Sequence, residues 1–274
     1  MKIGITAAHY TDTHGFEAGL RRLRADGYDC IDYSEFADTE KPLFYCSDAE
    51  FDAAIEKERS FIATSGLEIS QTHGPWRWPS QDATPEDRRE RFEKMSRAIR
   101  GTALLDCRNF VIHPIMPWGR GDADPKATYA INLDFMGRLC QVAAACGVTV
   151  CLENMPFIQQ SLATPEECLR LVRELDLANF KMCLDTGYCT MHGVNPGDAV
   201  RTLGKDMLKA LHVHDNDGER DRHWYPYAGV IDWDDFGAAL REIGFDDTLS
   251  LESNVIPGRE RELYEAARRI IKPN

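Results

Sequence analysis

The chain has 274 residues, of which 32 are Lys or Arg and 45 are Asp or Glu, for a formal net charge of −13. A hydrophobic content of 43% supports a sizeable core and excludes wholesale disorder. The acidity opposes a nucleic acid as main partner, since such proteins carry a basic footprint, while small phosphorylated molecules need only one or two local cations.

In chain order, one pattern recurs: a short apolar run, a polar or Gly-containing loop, then an amphipathic stretch. The expected strands are Lys2–Thr6, Cys30–Tyr33, Glu68–Thr72, Phe110–His113, Thr149–Glu153, Lys181–Asp185, Ala210–His214 and Leu249–Glu252. Between them, Ser47 with Glu50 three residues on reads as a capping box. Thr84-Pro85-Glu86-Asp87 and Thr164-Pro165-Glu166-Glu167 each place a capping Thr before Pro and first-turn acids. Pro125 and the Asp232-Trp233-Asp234-Asp235 run read as further helix starts, and Gly66, Gly147 and Gly244 as helix ends. Eight strands alternating with helices predict a single (β/α)8 TIM barrel over residues 1–274. An open doubly wound sheet would show fewer strands and a Gly-rich phosphate loop after the first, and neither is present.

The nine cysteines are odd in number, several lie in apolar runs, and no CxxC pair occurs. They read as reduced, buried thiols rather than disulfides or a zinc ribbon. No stretch approaches the ~20 apolar residues of a membrane span, and MKIGITAAHY lacks a long apolar signal region, so a soluble cytoplasmic protein with no membrane partner is expected.

Active sites of α/β barrels lie at the C-terminal ends of the strands. There the expected strands 3 to 8 end in Gln71-Thr72-His73, Ile112-His113-Pro114, Leu152-Glu153-Asn154, Leu184-Asp185-Thr186, His212-Val213-His214 and Leu251-Glu252-Ser253. One acid at a strand end is ordinarily a helix cap; six consecutive strands ending in His or carboxylate are not explained that way. Acids gathered in one mouth need a cation, and mixed oxygen and imidazole donors suit Mn²⁺, Co²⁺, Mg²⁺ or Zn²⁺. Glu153, Asp185, one of His212 and His214, and Glu252 are the expected ligands. His212 and His214 are two apart, so on a strand they share a face. The loop after strand 3 carries Trp76, Arg77 and Trp78, and Trp118 and Arg120 follow strand 4. These rings either pack against a sugar or cover the rim. His9 follows strand 1 at the mouth, whereas His14 and His192 read as loop residues.

These strand ends, with His214-Asp215-Asn216-Asp217-Gly218 after strand 7, resemble the xylose isomerase-like TIM-barrel superfamily of sugar phosphate isomerases and epimerases. The resemblance implies one divalent metal held by Glu153, Asp185, His212 and Glu252, with His214 as alternative to His212. It implies Glu153 and Glu252 as an acid/base pair that moves a carbon-bound proton through an enediolate. The carbohydrate substrate would also meet His73, Trp76, His113, Trp118, His214, Arg222 and His223. A keto-inositol-type dehydratase is the alternative on the same site, and a non-catalytic sugar-binding barrel a third. The superfamily's AP endonucleases hold three zinc ions; His73, His113 and Asp221-Arg222-His223 match their extra ligands in outline. Tyr188 stands where they have a histidine, and the net charge opposes DNA. Tyr188 also departs from several epimerases. A homo-oligomer is expected from the resemblance alone.

Overall fold

The computed structural model describes residues 1–76 and 82–272; Arg77 and Trp78 lie outside the described residues. The apolar runs form eight parallel strands: β1 Lys2–Thr6, β2 Cys30–Tyr33, β3 Glu68–His73, β4 Asn109–Ile112, β5 Thr149–Glu153, β6 Phe180–Asp185, β7 Leu208–His212 and β8 Thr248–Leu251. The hydrogen-bonded order runs β7-β6-β5-β4-β3-β2-β1-β8. The two ends meet just past β7, where Val213 N donates to Ser250 O at 2.9 Å and Glu252 N donates to Val213 O at 3.0 Å. The result is a nearly closed (β/α)8 barrel, as expected from the alternation of strand and helix.

Among the described residues ten helices follow the strands: α1 Ala8–His14, α2 Phe16–Asp26, α3 Asp48–Thr64, α4 Pro85–Leu104, α5 Pro125–Ala145, α6 Pro165–Leu175, α7 Thr186–Met191, α8 Pro196–Met207, α9 Trp233–Glu242 and α10 Glu260–Ile271. Ser47, Thr84 and Thr164 each close a reciprocal capping box, with Glu50, Asp87 and Glu167 respectively. Asp124 and Asp232 cap α5 and α9. Gly66, Gly147 and Gly244 have φ of 74°, 69° and 67°, the left-handed conformation of helix ends.

Three expectations shift. Strand β7 ends at His212, so His214 lies beyond the ladder rather than on it, and the shared-face expectation for the two histidines does not apply. His14, expected in a loop, is the last residue of α1. His113 and Glu252 sit one residue past their strands.

The helices pack an apolar layer around the barrel. Inside it, Val111, Cys151, Cys183 and Ala210, one from each of β4 to β7, form a separate buried cluster. All nine cysteines are free. Among the described residues no helix is long and apolar enough to cross a membrane.

The stretch from β7 to α9 is held by one carboxylate. Buried Asp215 accepts from Asn216 N (2.9 Å), Gly229 N (2.9 Å), Ile231 N (3.2 Å) and Trp233 Nε1 (2.8 Å). Gly229 is required for that approach, because a Cβ there would lie 2.0 Å from Asn216 O. Trp233 is fully buried against Phe236. Trp233→Ala therefore removes both a core ring and a donor, and is expected to destabilise the protein by about 3–5 kcal/mol in urea unfolding; a loss below 1 kcal/mol would contradict this anchoring.

Candidate active site

Parallel strands deliver their C-terminal residues to one mouth. Here β5 ends in Glu153, β6 in Asp185 and β7 in His212, and Glu252 follows β8. One donor atom from each of these four lies within 4.8 Å of all the others. His212 Nδ1 is 2.7 Å from Glu153 Oε1 and 3.6 Å from Glu252 Oε2. Glu153, Asp185 and His212 are essentially inaccessible, while Glu252 is partly exposed.

Local bonds hold the ring of acids in place. Asn154 clamps the end of β6, donating to Asp185 O at 3.1 Å and accepting from Asp185 N at 2.9 Å. Asp185 Oδ1 caps α7 by accepting from Tyr188 N at 2.7 Å. Its Oδ2 lies 3.0 Å from His214 Nε2. Thr186 Oγ1 donates to His214 O at 2.8 Å and accepts from His214 N at 3.0 Å. The His214 ring lies over Gly187, where a Cβ would come 2.0 Å from Cε1, and stacks on His223 at 4.0 Å between centroids.

The charges are strongly coupled. Burial alone would raise the Glu153 carboxyl, but the charge of His212 beside it holds it well below the usual range. Burial raises Glu252, and Glu153 and Asp185 add to the rise against the pull of His212 and His223. Burial pushes His113 down to about 4, so its ring is neutral near pH 7. His223 resists burial and rises to about 10 through its bond to Asp221 and the charge of Glu252.

The donor set fits a divalent cation. Glu153 Oε2 and Glu252 Oε2 are buried yet have no aligned hydrogen-bond donor. His113 Nε2 comes within 2.9 Å of that Glu153 oxygen without hydrogen-bond alignment. Buried carboxylate oxygens are normally paired, and a hard or borderline cation satisfies such oxygens together with an imidazole nitrogen.

Above the cluster is a cavity of about 670 Å³. Its polar side includes Asp32, His73, His113, Asp221, His223 and Glu252. Trp76, Met155, Phe157, Tyr188 and Met191 supply the apolar side, and Arg120 and Arg220 stand at its edge. Of the expected substrate contacts, His73, Trp76, His113 and His223 line this cavity. His214 is buried behind Asp185 and is not part of the lining. Trp118 is 42% exposed and lies outside the lining. Arg222 is also outside it: it donates to Asp217 at 2.8 Å and lies over the Trp224 ring. His9 is close enough to His223 for the two charges to interact.

Asp32 and Arg220 were not among the residues expected from sequence. Asp32 had a signal: it is an acid inside the otherwise apolar run Cys30-Ile31-Asp32-Tyr33.

Residues 20–273 match the family model of the xylose isomerase-like TIM barrel, and the chain belongs to that family. An uncharacterized protein of Methanocaldococcus jannaschii is 30% identical over 189 residues, 65% of this chain and 63% of its own length. A D-psicose 3-epimerase of Agrobacterium fabrum is 27% identical over 267 residues, 94% of this chain and 86% of its own. The crystal structure of a D-tagatose 3-epimerase-like protein superposes with a TM-score of 0.80 at 23% identity, covering 99% of this chain and 97% of that one.

Gly187→Ala is expected to push His214 off Asp185 and to cost about 1–3 kcal/mol of stability. Chemical denaturation measures the loss, and an unchanged midpoint would mean that the His214 ring has room to move.

Proposed function

We propose that this protein is a divalent-metal-dependent isomerase or epimerase acting on a small sugar or other polyhydroxy carbonyl compound. The observation that carries the reading is the Glu153, Asp185, His212 and Glu252 cluster, with two buried carboxylate oxygens that have no aligned hydrogen-bond donor, beneath a half-apolar cavity. The likeness to relatives named as D-psicose 3-epimerases supports the same class.

Glu153, Asp185, His212 and Glu252 would hold the ion, which when bound supplies a Lewis acid for neighbouring substrate oxygens. The rest of the work falls to the chain. Glu153, kept ionised by His212, stands at the end of β5 where it can take a proton from a carbon next to a carbonyl. Glu252, pushed the other way by burial and by Glu153 and Asp185, is suited to carry a proton and return it. Return to the opposite face of the same carbon inverts it; return to the adjacent carbon isomerises the sugar. Trp76 and Phe157 offer apolar surface for the C–H face of a sugar and exclude water, while His73 and His113 line the polar side beside Glu153.

Two outcomes are expected. Elemental analysis of purified protein gives about one divalent metal per chain, strongly reduced in Asp185→Asn; metal-free active wild type would sink the site. In ²H₂O, turnover of the accepted ketose places deuterium at the carbon beside the carbonyl, and Glu252→Gln slows turnover by roughly 100- to 10,000-fold. Turnover without exchange would point to hydride transfer instead, and loss of water from a keto-inositol would make the protein a lyase.

A further inference from the structure

Asp32 is a buried acid at the site with no part in the proposed proton transfer. It lies in β2 and is 1% exposed. Its Oδ2 accepts from Gln71 Nε2 at 2.9 Å and lies 2.9 Å from His212 Nε2. Gln71, itself buried in β3, is fixed by a second bond from the same nitrogen to Leu211 O at 3.2 Å. The opposite edge of the His212 ring, Nδ1, faces Glu153 and Glu252. His73 stacks almost parallel on that ring, at 5.6 Å and 9°.

These contacts leave the imidazole little freedom. The His73 stack sets the plane of the ring, and Asp32 sets its rotation within the plane. A carboxylate accepts hydrogen bonds and a neutral imidazole has one N–H to give. Carboxylates face both nitrogens of the ring, Glu153 at Nδ1 and Asp32 at Nε2. With an ion bound among the four residues at Nδ1, the one proton of a neutral His212 would sit on Nε2, opposite Asp32, and the lone pair on Nδ1.

We propose that Asp32 is the positioning residue of the metal site: held from β3 by Gln71, it keeps His212 in the Nε2–H tautomer and turns the Nδ1 lone pair toward a divalent ion. The proposal rests on the reading of the cluster as a metal site. If His212 were only a structural link between two acids, removing Asp32 would weaken the fold but leave no mark on a bound ion.

The test uses full-length protein stripped with a chelator, labelled with ¹⁵N-histidine and titrated with Zn²⁺. Wild type is expected to bind about one Zn²⁺, with His212 ¹⁵N shifts showing Nδ1 on the metal and Nε2 protonated. Asp32→Ala is expected to weaken Zn²⁺ binding about 10- to 100-fold and to lose that tautomer signature. Asp32→Asn, whose carbonyl can accept from both Gln71 and His212, is expected to restore the signature and most of the affinity. Asp32→Ala binding as tightly as wild type, while His212→Ala does not bind, would overturn the proposal and leave the metal reading standing. So would wild-type spectra with Nε2 on the metal, a readout that decides the matter even if Asp32→Ala fails to fold. No Zn²⁺ binding by wild type, or equal binding by wild type, Asp185→Asn and His212→Ala, would overturn the metal reading and this proposal with it.

Discussion

The mouth of this barrel depends on two backbone hydrogen bonds at the seam between β7 and β8. The other neighbouring strand pairs form ladders, with register shifts in β2–β3 and β6–β7, but here, among the described residues, only Val213 makes the backbone connection, giving its N–H to Ser250 and taking one from Glu252. Without that seam β8 would be a free sheet edge, and its last residues would have no fixed distance to β7. Because Val213 stands between His212 and His214, the residue that closes the sheet also sets where Glu252 lies relative to both histidines. Fold and site therefore share the same two bonds.

The second constraint is charge. Asp32, Glu153 and Asp185 are almost wholly buried, and isolated buried acids cost several kcal/mol each. Each of them, and Glu252, lies within 4 Å of an imidazole nitrogen: Asp32 and Glu153 of His212, Asp185 of His214, Glu252 of His212 and His223. Imidazole is suited to this use, since it can stay neutral, as His113 does, or carry charge, as His223 does. Lysine or arginine at these positions would neutralise the acids permanently and leave no lone pair for a ligand.

Most of the strands were legible as apolar runs, and helices α3 to α6 and α9 by their starts, a capping Ser or Thr with first-turn acids, the Asp232 run, or Pro125. The other five helices were not. Helix α1 starts without a side-chain cap, and α7 is capped by Asp185, an acid that reads equally well as a ligand and serves the helix as well as the cluster. The four residues of the cluster were legible because strand ends of a barrel converge whatever the details of packing. Which histidine joined them was not, since register at the end of β7 is set by the seam with β8 and not by local pattern. Arg222 was expected at the cavity and Arg220 was not; Asp217 holds the Arg222 guanidinium, and Arg220 lines the cavity instead. Gln71 and Asp32 sit within strands and pair across them, a relation between β2 and β3 that no single run of residues reveals.

The fourfold bonding of Asp215 bears on ligand binding. It ties residues 216, 229, 231 and 233 to one carboxylate, so the chain carrying Asp221 and His223 is ordered when the protein folds. A ligand meeting that wall has no loop to immobilise, and the entropy that a flexible wall would lose on binding has already been lost in folding.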